Sequence, residues 1–191
     1  MYDLAIIGAG WSGFNAALRA KEYGLKTCLI EKDKTGGTCL NYGCIPTKTL
    51  LQSAKAFLLA KKSEVFGIHT LNPEIDFAKV QQRKERIISD LLLGMQFMLK
   101  GVDFFNAPAE FVSRQGLRVG GETISAKFIL IATGSRPTEL SCLKFDSKKI
   151  LSSNDILNLK EVPDSLLIVG GGVIGCEFAS LFSAFLSEFL I

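Results

Sequence analysis

Residues Asp3–Gly13 read DLAIIGAGWSG, a short β-rich apolar run that ends on three glycines, Gly8, Gly10 and Gly13. Phe14–Tyr23 has a helix-like composition, and Lys26–Ile30 is a second apolar run that closes on Glu31. A strand, a G-x-G-x-x-G turn, a helix, a second strand and an acid about 20 residues further on form the arrangement that holds a dinucleotide. Each glycine has its own reason: Gly8 permits the tight turn, Gly10 lets backbone approach a pyrophosphate, and Gly13 lets helix and strand pack closely. The helix N-terminus favours the anion, and Glu31 is expected to accept the ribose hydroxyls. A glycine triplet alone is equally an ordinary strand-to-helix turn; the surrounding βαβ pattern carries the reading.

The pattern recurs. Leu166–Gly175 reads LLIVGGGVIG and aligns with Leu4–Gly13 at a constant offset of 162, which places Gly170, Gly172 and Gly175 on Gly8, Gly10 and Gly13. Two fingerprints in one chain most economically hold two cofactors that exchange electrons, which points to a flavin and a nicotinamide. At the same offset Gly24 corresponds to Leu186 and Glu31 to a position past Ile191, so the second unit is expected to be incomplete.

Between the repeats, Thr49–Ala60 carries Leu50, Leu51, Ala54, Phe57 and Leu58 at helical spacing, and Phe77–Leu99 carries Val80, Ile87, Ile88, Leu91, Leu92 and Met95 likewise. Both predict amphipathic helices. Val102–Thr133 is β-rich and broken by Pro108, Gly116 and the Gly120–Gly121 pair, a hairpin signal, with Phe128–Ala132 expected as a buried strand. Pro137–Pro163 is polar and turn-rich and reads as a linker. The expected fold is α/β: two Rossmann-like dinucleotide-binding units, the second incomplete, with a β-rich insertion in the first. Phe178, Leu181, Phe182, Phe185, Phe189 and Leu190 are expected to lack a sheet that covers them.

Composition excludes several classes. Twenty-two Lys plus Arg against 19 Asp plus Glu leave a formal charge of only +3, too little to argue for nucleic acid or an anionic membrane surface. Hydrophobic residues at 48% and charged residues at 21% suit a globular core. The N-terminus has no basic n-region and runs into a glycine turn, which predicts no targeting peptide and an intracellular, cytoplasmic protein. Glu177 and Glu188 interrupt the most apolar stretch, Ser165–Ile191, before about 18 uncharged residues accumulate, so no membrane span is expected.

Five cysteines, an odd number, argue against a disulfide framework and leave room for redox chemistry at one pair. Gly36–Lys48 reads GGTCLNYGCIPTK, with Cys39 and Cys44 five residues apart ahead of a helix that Pro46 helps to start. Free N–H groups and the dipole at a helix N-terminus stabilise thiolate, the form that attacks disulfides, and Cys44 fits that role better than Cys39. The alternative is two unrelated buried cysteines. Zinc uses closer pairs and four ligands, and the chain has one His, so no metal site is expected. Lys48, four residues after Cys44, falls on the same helix face. Cys28 and Cys142 read as apolar fillers, Cys176 receives no role, and His69 reads as an exposed loop histidine.

GGTCLNYGCIPTK, together with GAGWSG at 8–13, ATGSRP at 132–137 and GGGVIGCEFAS at 170–180, resembles the flavoprotein disulfide reductases, or pyridine nucleotide-disulfide oxidoreductases, and most closely their branch that oxidises dihydrolipoyl groups. The resemblance implies FAD at the first fingerprint and NAD at the second. Residues 1–140 would then be the N-terminal part of an FAD-binding domain, and 141–191 a linker and the start of an NAD-binding domain. It implies that Cys39 exchanges with substrate, that Cys44 lies against the flavin, and that Lys48 lies beside the flavin paired with Glu177. It adds Gly37 and Thr38 as FAD contacts, with Ala132, Thr133 and Gly134 as a second FAD contact. The implied reaction passes electrons from dihydrolipoamide through Cys39–Cys44 and FAD to NAD. Its implied partners are lipoyl-bearing components of 2-oxo acid dehydrogenase complexes and a second copy in a homodimer. Within the same family an NADPH-dependent disulfide or mercuric reductase is the alternative, and outside enzymes a non-catalytic FAD-binding remnant. Relatives continue into an interface domain with a catalytic His–Glu pair, so the chain reads as C-terminally truncated and is not expected to turn over dihydrolipoamide alone.

Overall fold

The computed structural model describes residues 1–185. They divide into two compact units, Met1–Tyr42 with Ser89–Arg136, and Gly43–Ile88 with the chain from Pro137 onward.

The first unit is built on β1 (Tyr2–Ile7), α1 (Trp11–Glu22), β2 (Thr27–Glu31), α2 (Gly37–Asn41), β3 (Asp103–Asn106), β4 (Ala109–Ser113), β5 (Gly116–Val119) and β6 (Glu122–Ile131). Its six-stranded sheet has the order β3-β2-β1-β6-β5-β4. β1 runs parallel to β2 and β6, and β2 parallel to β3, whereas β4, β5 and β6 form an antiparallel arm. The long strand β6 serves both parts: Glu122–Ser125 pairs with β5, and Ala126–Ile131 pairs with β1. The β5–β6 hairpin turns on Gly120 and Gly121 at φ 56° and 92°, the positive values at both central residues that a two-residue turn demands. Alternation along the strands sends Ala5, Cys28 and Ile30 to one face, where they cluster with Leu117, Val119 and Ala126. On the βαβ side α1 packs on β1 and β2 through Phe14, Ala17 and Ala20.

The expectation that Phe128–Ala132 is buried is corrected: Phe128 is 72% and Ile131 63% exposed. Strand pairing satisfies the backbone of β6, but a side chain is buried only by a layer stacked on its face, and α1 lies chiefly over β1 and β2.

The second unit contains α3 (Cys44–Lys61), a 3₁₀ turn over Ser63–Phe66, the first half of α4 (Phe77–Met98), α5 (Ser153–Ile156) and α6 (Val173–Ser183). One core joins Leu50 and Ala54 of α3, Phe77 and Val80 of α4, Ile156 and Leu157, and Phe178, Leu181 and Phe182 of α6. Two expectations change here. The polar stretch Pro137–Pro163 is not merely a linker, because α5, closed by a Ser152–Asp155 capping box, delivers Ile156 and Leu157 to that core. Phe178, Leu181 and Phe182 are not uncovered either: the apolar faces of α3 and α4 meet them, and Phe185 stacks near Phe57 and Phe77. Leu186, Glu188, Phe189 and Leu190 lie outside the described residues.

Leu166–Val169, the strand-like run of the second fingerprint, forms no strand among the described residues. Leu166 and Ile168 pack against the core, while Leu167 and Val169 are 81% and 67% exposed. Among the described residues the second fingerprint is a glycine turn followed by α6.

Candidate cofactor and redox site

In the first fingerprint Gly8 has φ 105°, and a Cβ there would stand 2.2 Å from the Ala132 carbonyl oxygen and 3.2 Å from Thr133 Cα. The Ala132 N–H donates to the Ile7 carbonyl at 2.8 Å, and Gly134 follows with φ 71°. The end of β6 is thereby laid against the glycine turn, bringing together Gly8 with Ala132 and Thr133 from a motif far away in sequence. A Cβ on Gly13 would lie 1.8 Å from the Gly8 carbonyl oxygen, which is the close packing its position predicts.

Gly10 is the N-cap of α1; no side chain caps this helix and its first turn has no acid. The first turn therefore keeps backbone N–H groups without helical partners. Beside Gly10 the chain returns at Gly36, whose N–H donates to the Ala9 carbonyl at 2.8 Å, and a Cβ on Gly37 (φ 54°) would stand 2.7 Å from Gly10 Cα. Thr38 follows Gly37 in the first turn of α2. Gly36, at φ 91°, caps α2, a role not among the sequence expectations although the Gly36–Gly37 doublet signals a turn. Glu31 reaches the same turn, where Oε2 accepts the Ala9 N–H at 2.8 Å and Oε1 the Asp33 N–H at 2.9 Å. A cradle of backbone and glycine at an uncapped helix start, flanked by a carboxylate, fits the diphosphate and ribose of a dinucleotide.

In the second unit Cys44 is the first residue of α3 and is exposed. Gly43 is the N-cap, no side chain caps the helix, and Pro46 sits in its first turn. The Thr47 hydroxyl donates back to the Gly43 carbonyl at 2.6 Å. Lys48 Nζ meets Glu177 Oε1 of α6 at 2.6 Å, the pair that the resemblance implies. At the second fingerprint Gly170 has φ 112°, Gly172 is the uncapped N-cap of α6, and a Cβ on Gly175 would stand 2.2 Å from the Gly170 carbonyl oxygen.

Cys39, in α2 of the first unit, is half-buried. Cys28 is buried as expected, and burial, aided by Asp103, pushes its thiol up to about 11. Cys142 is exposed, so the filler reading fails for it: it lies in a loop that does not enter either core. Cys176 is exposed with its thiol 3.4 Å from the Gly171 carbonyl, and His69 is exposed. Among the described residues no group of three or more His, Cys, Asp or Glu side chains is placed to hold a metal ion.

The family model of the pyridine nucleotide-disulphide oxidoreductases matches residues 2–191. The chain belongs to this family. It is 45% identical to a dihydrolipoyl dehydrogenase of Bacillus subtilis, across 98% of this chain and 43% of that one. It is 42% identical to a dihydrolipoyl dehydrogenase of Acholeplasma laidlawii, across 100% of this chain and 59% of that one. The solved HOCl-induced flavoprotein disulfide reductase RclA from Escherichia coli is similar at a TM-score of 0.82 and 34% identity, covering 98% of this chain and 41% of that one. The chain spans about half the length of the curated relatives it matches. No described helix is long and apolar enough to cross a membrane.

Proposed function

We propose that this chain is the FAD-binding and redox-disulfide part of a dihydrolipoyl dehydrogenase, which oxidises dihydrolipoyl groups and passes the electrons to NAD. The observation that carries the reading is GGTCLNYGCIPTK in a member of this family, with Cys44 opening an uncapped helix whose next turn bears Lys48 paired to Glu177. Gly8, Gly10, Gly13, Glu31, Gly37, Thr38, Ala132, Thr133 and Gly134 would hold FAD, and Gly170, Gly172 and Gly175 would receive NAD. When bound, FAD supplies the two-electron acceptor that returns the cysteine pair to its disulfide.

The chain's own residues perform the exchange. One substrate thiolate attacks Cys39 Sγ, the Cys39–Cys44 bond breaks, and Cys44 leaves as thiolate. The second substrate thiolate then displaces Cys39, closing the substrate disulfide; two electrons pass to the protein pair, and the two thiol protons go to the protein and solvent. Lys48, steadied by Glu177, keeps a cation on the helix face of Cys44 while negative charge develops there. Lipoyl-bearing components of 2-oxo acid dehydrogenase complexes, a second copy of the chain and a cytoplasmic setting belong to the same reading, as the family resemblance implies.

The test is spectroscopic. The FAD-loaded chain receives one equivalent of dihydrolipoamide, and a long-wavelength absorbance band is expected that is absent from Cys44→Ser. Bound flavin without such a band in the unaltered chain would instead mark a non-catalytic FAD-binding module.

A further inference from the structure

We infer that Arg83 is a positioning residue for the helix that carries Cys44; the inference rests on the role proposed for that thiol. In the second unit α3 is packed by apolar side chains of α4 and α6, with Leu50 and Ala54 against Phe77, Val80, Phe178, Leu181 and Phe182. Apolar contact is non-directional and holds a helix sideways better than it fixes its position along its own axis. Directional bonds do that: near the far end of α3 the Thr70 hydroxyl donates to the Ala60 carbonyl at 3.0 Å, and nearer Cys44 the helix is held from α6 and from α4. Lys48 reaches Glu177 of α6, and from α4 Arg83 Nη1 donates to the Thr49 carbonyl at 3.0 Å, with Ser53 Oγ 3.4 Å away. A carbonyl has two lone pairs, so Thr49 can serve the helix ladder and the guanidinium together. Gln81 and Lys84, the polar neighbours on α4, bond instead to the carbonyls of Leu159 and Leu157.

Thr49 adjoins Lys48 and stands little more than one turn beyond Cys44. The position fixed there is passed back to the first turn by Thr47, whose N–H and hydroxyl both return to the Gly43 carbonyl, at 3.1 Å and 2.6 Å. Without Arg83 the first turn is free to fray, and its N–H groups no longer converge where a Cys44 thiolate needs them. Arg83 acts through α3, by its bonds to Thr49 and Ser53.

The test is the alkylation rate of each cysteine at neutral pH in the folded 191-residue chain after mild reduction and removal of the reductant, read by peptide mass with neither flavin nor substrate present. In Arg83→Met the rate at Cys44 should fall about threefold, the size of a helix-terminus effect on an anion, while exposed Cys142 keeps its rate. Arg83→Lys, which restores a charged donor, should recover the rate. If Arg83→Met does not fold, Arg83→Gln, with a donor on a shorter stem, takes its place with the same readings. An unchanged Cys44 rate in the folded variant, or an equal fall at Cys142, or a fall in Arg83→Lys as large as in Arg83→Met, would each overturn the inference. Failure of the proposed catalytic role would appear elsewhere, as a missing flavin–thiol band in the unaltered chain.

Discussion

The two glycine fingerprints share a backbone but not a setting. Gly8 and Gly170 turn at φ 105° and 112°, Gly10 and Gly172 cap their helices with φ −68° and −73°, and the Ile6 and Ile168 side chains stand 3.2 Å from the Cβ positions of Gly13 and Gly175. Around the first, β1 is paired on both sides with Ala5 and Ile6 fully buried, the Ala132 carbonyl lies against Gly8, and Glu31 holds the Ala9 N–H. Around the second, an added Cβ on Gly170 or Gly172 would meet nothing within 4 Å, and Leu167 and Val169 face outward. The turn is therefore a local product of its glycines and the helix they start, whereas a nucleotide site also needs the neighbouring strands. The same motif stands in two different settings.

Substitution at the first turn position breaks this comparison most sharply. Gly8→Ala combines a left-handed φ with a backbone clash and should destabilise the first unit by on the order of 5 kcal/mol, whereas Gly170→Ala carries the φ cost alone, about 1 to 2 kcal/mol. Denaturant midpoints of the two variants measure the difference; equal losses would mean that the second turn is as enclosed as the first.

What holds the second fingerprint is its helix. Phe182 is 1% exposed in the α3–α4–α6 core, so Phe182→Ala should cost about 3–5 kcal/mol. Phe128→Ala, on the exposed face of β6 in the first unit, should change stability by less than about 0.5 kcal/mol. Thermal melts of both variants check this ordering.

These two phenylalanines also mark how far the sequence could be read. The βαβ unit, both long helices and the Gly120–Gly121 hairpin follow from local spacing and turn chemistry, and each is present. The Lys48–Glu177 pair joins residues 129 positions apart and was reached only through the family resemblance. Burial differs from expectation at Phe128 and at Phe178, Leu181 and Phe182, because periodicity identifies an apolar face without saying which element covers it. Gly36 and Gly37 were legible as a doublet, but their approach to Ala9 and Gly10 depends on a return of the chain that no local rule specifies.

A small effect is also expected at the ion pair. With the Lys48 side chain 58% exposed, Glu177→Gln should lower stability by only about 0.2 to 1 kcal/mol, and less at high salt. A larger, salt-independent loss in melting experiments would mean that Glu177 supports α6 in some other way.

We propose that the first fingerprint, and not the second, holds the flavin. Gly10 and Gly172 both adopt backbone angles open to any residue, and an added methyl meets only an ordinary 3.8 Å contact at Gly10 and nothing within 4 Å at Gly172, so both alanine variants should fold. The direct measurement is a titration of FAD into the chain and these two variants, followed by quenching of flavin fluorescence. One FAD per chain is expected, with affinity weakened about tenfold or more by Gly10→Ala, where the methyl blocks close approach of backbone to diphosphate, and unchanged by Gly172→Ala. Undiminished FAD binding in Gly10→Ala, or its loss in Gly172→Ala, would contradict it.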